Sequence, residues 1–240
     1  MTRYASRTDR LAGLGSERWA VHQRAIVRQS AGDEIVMLSI GERDTPTPAA
    51  IVDAAIDSLR RGRIHYSVGK GEPVFLEAVA RRYSTRLGRR IGAEQVIVMP
   101  GAHTALYAVC HAVLDEGDHR LVPEPYYAAY DGIFTSTGAV VVPVPLLPEE
   151  FHLQVEALNH AVTSRTRALV LNNPHNPTGS VLAPGRVAEI AEFCERNDLW
   201  LISDEVCEDL VYQGAFESPL LSPNMRAGSS QFPAFQSRIR

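Results

Sequence analysis

From residue 95 onward the chain alternates short apolar runs with segments of helical spacing, and this rhythm restricts the fold more than any other feature. The strand candidates are Val96–Met99, Arg120–Val122, Ala139–Val144, Ala168–Leu171 and Leu199–Ile202. Each is short, nearly all apolar and rich in valine, leucine or isoleucine, as parallel strands covered on both faces are. Between the last two, the segment from Pro184 to Asn197 sets Val187, Ile190, Ala191 and Cys194 at helical spacing. A strand, a helix and a strand of this length form a right-handed βαβ unit. The predicted architecture is an open, mostly parallel α/β sheet with helices on both faces. In such sheets ligands sit beyond the carboxyl ends of the strands.

Upstream the pattern is helical. Residues 1–34 are polar with weak helical periodicity, and Ile35 to Ile40 reads as an extended segment ending at Gly41. Thr47-Pro48 predicts a helix start, with Ile51, Ala55, Ile56 and Leu59 as its apolar stripe and Gly62 as its stop. A second helix is predicted from Glu72-Pro73 to Gly88. Composition excludes several function classes. A net charge of −4 gives no basic field for nucleic acid. No apolar run reaches membrane-spanning length, and the first residues lack an apolar signal core, so a cytoplasmic location is expected. Cys110, Cys194 and Cys207 are far apart, without the spacing of a zinc site or a disulfide framework. No metal is expected.

Each predicted strand end carries residues open to two readings. Pro100-Gly101-Ala102-His103 leads into a helix expected over 104–114. A glycine before a helix N-terminus exposes backbone N–H groups that suit a phosphate, and it equally suits a plain strand-to-helix turn. Glu124-Pro125-Tyr126-Tyr127 precedes a helix expected over 126–137, and its tyrosines either pack in the core or stack on a flat ring. In Asn172-Asn173-Pro174-His175-Asn176-Pro177-Thr178-Gly179 the Asn176 amide is a fixed donor for an anionic oxygen, or part of a turn. Asp204, one crossover later, either pairs with a cationic ring nitrogen or is a solvated acid at a strand end.

Taken in order, five segments resemble the class I/II aminotransferases, pyridoxal-phosphate enzymes of fold type I. They are Gly-Glu-Arg-Asp-Thr-Pro-Thr-Pro (41–48), Pro-Gly-Ala-His (100–103), Pro-Glu-Pro-Tyr-Tyr (123–127), Asn-Asn-Pro-His-Asn-Pro-Thr-Gly (172–179) and Ser-Asp-Glu-Val (203–206). The resemblance covers residues 33–218 and implies a partial large domain of that fold, incomplete at its C-terminus. It places residues 1–45 in the small domain and 46–218 in the large cofactor-binding domain, and leaves 219–240 as an aberrant, disordered tail. It implies that Ala102 and His103 meet the phosphate of pyridoxal 5'-phosphate. Tyr127 would stack on its ring, Asn176 donate to its phenolate oxygen and Asp204 pair with its pyridinium nitrogen. Tyr66 matches a tyrosine lent to the neighbouring subunit's phosphate site, which implies a homodimer, and Gly41 matches a glycine beside the substrate. The implied reaction moves an amino group between an amino acid and a 2-oxo acid.

Three departures qualify this. Cys207 stands where the family has a tyrosine, and a thiol is a poor donor. Arg43 replaces a proline. Above all, the Schiff-base lysine and the C-terminal domain that follow in the family have no counterpart. Lys70 is the one lysine in the sequence and does not match that position. This chain is therefore expected to be inactive as it stands. Alternatives within the same motifs are a pyridoxal-phosphate-dependent lyase, or a non-catalytic remnant that binds the cofactor or a partner.

Overall fold

The computed structural model describes residues 3–14, 16–41, 45–149 and 151–221. Most of the expected tail, from residue 222, lies outside these, as do Glu42, Arg43 and Asp44 of the first motif. Residues 219–221 form a 3-10 turn. The chain divides into two compact units, one of residues 16–98 and one of residues 1–15 with 99–240. The helices are α1 (Arg7–Leu11), α2 (Ser16–Ser30), α3 (Ala49–Arg60), α4 (Pro73–Leu87), α5 (Ala102–Val113), α6 (Tyr130–Thr137), α7 (Val155–Ala161) and α8 (Arg186–Arg196). The strands are β1 (His119–Glu124), β2 (Val140–Pro145), β3 (Thr166–Asn172) and β4 (Trp200–Asp204). Among the described residues no helix is long and apolar enough to cross a membrane.

In the unit of residues 16–98, α4 starts and stops where its sequence directs. Pro73 occupies the first turn, where a missing N–H costs nothing, and Gly88 ends the helix at φ 60°, a left-handed conformation that favours glycine. Leu76, Ala80, Tyr83 and Leu87 are its buried stripe. The apolar stripe of α3 forms as a helix but no residue of it is buried.

The second unit is the parallel sheet, in the order β2-β1-β3-β4. Alternate residues of each strand point to opposite faces, so the core has two halves. Leu121, Leu169, Leu171 and Leu201 face a cluster closed by Leu158 of α7 and by Ile190 and Phe193 of α8. Val122, Ala168, Val170 and Ile202 face a second cluster with Leu106 and Cys110 of α5 and Phe134 of α6. These layers are the α/β/α arrangement that the strand pattern predicts. Cys110 and Cys194 are packing residues, and burial pushes both thiols up, Cys110 to about 11.

Two predicted elements differ, and one helix stands where none is predicted. Val96–Met99 is extended but unpaired; the Val98 N–H donates to the Lys70 carbonyl at 2.8 Å instead of to a neighbouring strand. An apolar run becomes a strand only where a partner's backbone meets it. The helix expected over 126–137 begins only at Tyr130, with residues 126–129 forming the turn before it. Helix α7 lies in a stretch where the sequence shows no strong helical signal.

The loop after β3 closes on itself. The His175 N–H donates to the Ser180 carbonyl and the Gly179 N–H to the His175 carbonyl, each at 2.8 Å. The buried His175 ring lies 2.7 Å from the Thr178 hydroxyl through Nδ1, and it also hydrogen-bonds the backbone of Pro125 in the loop after β1.

Two outcomes are expected of the sheet unit. Leu169 is fully buried in the central strand β3, so Leu169→Ala should cost about 2–5 kcal/mol in urea denaturation. Burial lowers the His175 pKa below its ordinary 6.5, against a smaller opposing effect of the Pro125 hydrogen bond. The folded state thus keeps this ring neutral. Its contribution to stability is full above the unfolded value of 6.5 and is lost as pH falls from there through the lower folded value. The thermal midpoint should fall on acidification through that window, and His175→Gln should remove part of the slope.

Candidate functional site

The site is built at the carboxyl edge of the sheet, and it starts from the turn into α5. Gly101 caps this helix at φ 102°, a backbone conformation that L residues rarely adopt. The first N–H groups of the helix, those of Ala102 and His103, have no intrahelical acceptor and carry the positive end of the helix dipole. The His103 ring lies nearly parallel to the Tyr127 ring, with centroids 5.7 Å apart and planes at 22°. Tyr127 sits in the loop after β1 and meets Tyr130 edge to face, 5.5 Å between centroids at 87°. Tyr130 opens α6, and its hydroxyl donates to Oδ2 of Asp204, the last residue of β4. A continuous line of side chains therefore runs from the phosphate-type turn to the buried carboxylate.

A second line reaches Asp204 from β3. Asn172 ends β3 directly opposite Asp204 in the parallel register. The Asn172 Nδ2 donates to the Asp204 carbonyl at 3.0 Å, and its Oδ1 accepts the Asn176 N–H at 2.7 Å. Asn176 itself is exposed, and its side-chain amide makes no hydrogen bond among the described residues.

Burial decides the electrostatics. Asp204 is 8% exposed, so its charge needs donors; Tyr130 supplies one and the Val206 N–H, 3.1 Å from Oδ1, another. Burial, then the neighbouring Asp204 charge and hydrogen bond, push the Tyr130 phenol well above its usual range, so it stays a donor. The Cys207 thiol is also pushed up, by burial and by Asp204. It stays neutral beside the carboxylate.

These groups fit pyridoxal phosphate in kind. They include anion-binding amides at a helix N-terminus, an aromatic ring beside them, a free carboxamide donor and a buried carboxylate. A carboxylate accepts up to about four hydrogen bonds, so the Tyr130 and Val206 contacts do not by themselves prevent a ring N–H from joining. Ala102, His103, Tyr127, Asn176 and Asp204 all belong to the sheet unit. Tyr66 and Gly41 belong to the unit of residues 16–98, where Tyr66 is fully exposed and a Cβ placed on Gly41 would meet open space among the described residues. Lys70, in that same unit, uses its amine to donate to the Glu94 carbonyl at 3.0 Å. Sequence reasoning missed Tyr130 and Asn172. Tyr130 reads as a core aromatic, although its place three residues after Tyr127 is a signal that both share one turn; Asn172 is hidden among the polar residues of its motif.

The sequence model of the family described as "Aminotransferase class I and II" matches residues 33–229. The arginine–pyruvate transaminase AruH of Pseudomonas aeruginosa is 45% identical over 224 residues, which is 93% of this chain and 57% of that protein. The aspartate/prephenate aminotransferase of Thermus thermophilus is 37% identical over 83% of the chain and 52% of its own length. A solved structure of a Thermus thermophilus aspartate aminotransferase mutant superposes with a TM-score of 0.89 at 32% identity, covering 98% of this chain and 60% of that one. The chain thus spans a little over half the length of these relatives. With the parallel sheet and the residues at its edge, these matches establish that the chain belongs to the class I and II aminotransferases.

Proposed function

We propose that this chain forms the pyridoxal 5'-phosphate-binding part of an aminotransferase that moves an amino group between an amino acid and a 2-oxo acid. The observation that carries the reading is the unbroken contact line His103–Tyr127–Tyr130–Asp204 at the carboxyl edge of the sheet. When bound, the cofactor supplies an electron sink for the pair left as an amino acid loses its α-proton. The chain's residues bind and orient it. Ala102 and His103 present their N–H groups to the phosphate, where the α5 dipole favours negative charge. Tyr127 stacks on the ring. Asn176 donates to the phenolate oxygen. Asp204 accepts the ring N–H and keeps that nitrogen protonated, and Tyr130 keeps the carboxylate in place.

Within these 240 residues no lysine stands at the family's cofactor-holding position, and the Lys70 amine is engaged with Glu94. Lys70 is accordingly not a covalent anchor for the cofactor. By the family pattern, Gly41 would be a substrate-binding residue.

The assembly is a homodimer in which Tyr66 reaches a second copy's phosphate site. Its support is exposure: Tyr66 is fully exposed, and Ile51, Ile56 and Leu59 of α3 turn an apolar stripe to solvent.

Two experiments test these statements. Pyridoxal phosphate added to the purified chain should give a bound visible band. Because hydrogen bonds to charged groups contribute about 1.5–3 kcal/mol, Asp204→Ala should weaken binding about 10- to 100-fold. Tyr127→Ala should weaken it about 2- to 10-fold, the range for a lost stacking contact. Borohydride should leave no label on Lys70; a labelled Lys70 peptide would show a covalent link and defeat this reading of Lys70. Sedimentation equilibrium should give twice the chain mass, and a monomer at micromolar concentration would defeat the dimer.

A further inference from the structure

Asn176 and Asp204 lie in different elements, one in the loop after β3 and the other at the end of β4. For both to serve one small ligand, something must hold their spacing. The backbone ladder fixes Asp204 against Asn172 and Asn173, since the Asn173 N–H donates to the Asp204 carbonyl at 3.0 Å. It does not extend to Asn176, which lies beyond two residues of an irregular loop and is exposed.

We propose that Asn172 is a positioning residue that sets the distance between Asn176 and Asp204. The residue is 7% exposed and uses both ends of its side-chain amide. Nδ2 donates to the Asp204 carbonyl at 3.0 Å, and Oδ1 accepts the Asn176 N–H at 2.7 Å. The two partners determine which end is which, because a backbone carbonyl requires a donor and a backbone N–H requires an acceptor. One planar group thus ties the backbone of both residues.

The chemistry explains why an asparagine stands here. Aspartate offers only acceptors and would face the Asp204 carbonyl oxygen with a negative charge. Serine has one atom where two are needed. Glutamine carries an additional methylene, which a site this enclosed accommodates only by displacing one of the two partners. Leucine would leave the part-buried Asn176 N–H without its acceptor, a cost of about 1–3 kcal/mol, and would leave the Asp204 carbonyl with the Asn173 N–H as its remaining donor.

This role rests on the reading of Asn176 and Asp204 as cofactor ligands, so the test separates the two. The first measurement needs neither cofactor nor variant: hydrogen exchange in the unmutated chain. The Asn176 amide should exchange at least ~10-fold more slowly than that of exposed Gly214, because its acceptor is buried. Exchange at the Gly214 rate overturns the proposal. In Asn172→Asp the acceptor for Asn176 remains while the donor to Asp204 is lost. That variant should keep the Asn176 amide slow, whereas Asn172→Ala should release it. Slow exchange retained in a folded Asn172→Ala chain also overturns the proposal.

The second measurement is pyridoxal phosphate affinity. Asn172→Ala should lower it about tenfold, the loss expected from one charged-group contact held out of place. Combined with Asn176→Ala, the total loss should be smaller than the sum, because the two act as one unit. Combined with Tyr127→Ala, which Asn172 does not touch, the losses should add. Losses that add in both pairs mean a purely structural role and overturn the proposal. Absence of any binding by the unmutated chain would defeat the cofactor reading and leave amide exchange to judge the tie.

Discussion

The arrangement of the site depends on one buried carboxylate. Asp204 ends a strand in which Leu201, Ile202 and Ser203 are almost entirely enclosed. A charge in such a place costs several kcal/mol unless donors surround it. The protein meets this demand from two directions: Tyr130 brings a phenol from α6, and the chain's own turn returns the Val206 N–H. Satisfying the carboxylate fixes α6 at its first residue, and that fixes the turn bearing Tyr127. The electrostatic requirement of one side chain therefore organises the aromatic line that ends at His103.

Much of the fold was legible because it rests on periodicity. Arg120–Val122 and Ala168–Leu171 lie within β1 and β3, Leu199–Ile202 overlaps β4 from Trp200 onward, and Pro184–Asn197 brackets α8. The run at 96–99 shows the limit of such reasoning. Its composition matches the true strands, but pairing is a property of two chains of backbone, and here the Val98 N–H bonds to a loop carbonyl. The start of α6 departs from the sequence pattern for a related reason. Tyr126 through Ala129 have no residue that forbids helix, and their conformation follows from contacts of Tyr126 with Asp131 and of Tyr127 with His103.

At the site itself, the sequence reveals the residues that stand in motifs and conceals those that support them. Asn176 and Asp204 are visible because prolines and strand ends mark them. Tyr130 and Asn172 are invisible because their importance lies in what they touch. A helix-opening tyrosine is usually core, and an asparagine at a strand end is usually a turn former. Only the register, with Asn172 opposite Asp204, shows that this amide spans two elements.

Helix α6 also resolves the position of a buried cation. Arg120 of β1 is wholly enclosed; its guanidinium lies 4.4 Å over the Phe134 ring and donates from Nη1 to the Thr137 hydroxyl at 2.9 Å. Nε and Nη2 have no hydrogen-bond partner among the described residues. Burial lowers the Arg120 pKa to about 10, which still leaves it charged at neutral pH. Thr137 closes α6, so this charge meets the negative end of the helix dipole, while Tyr130 at the positive end reaches the Asp204 carboxylate. Opposite charges thus address opposite ends of one eight-residue helix, each with the sign that the dipole favours. A helix this short has little stability of its own. Its ends are held by a cation and an anion that the core would otherwise not tolerate, and the anion's end adjoins the turn that presents Tyr127.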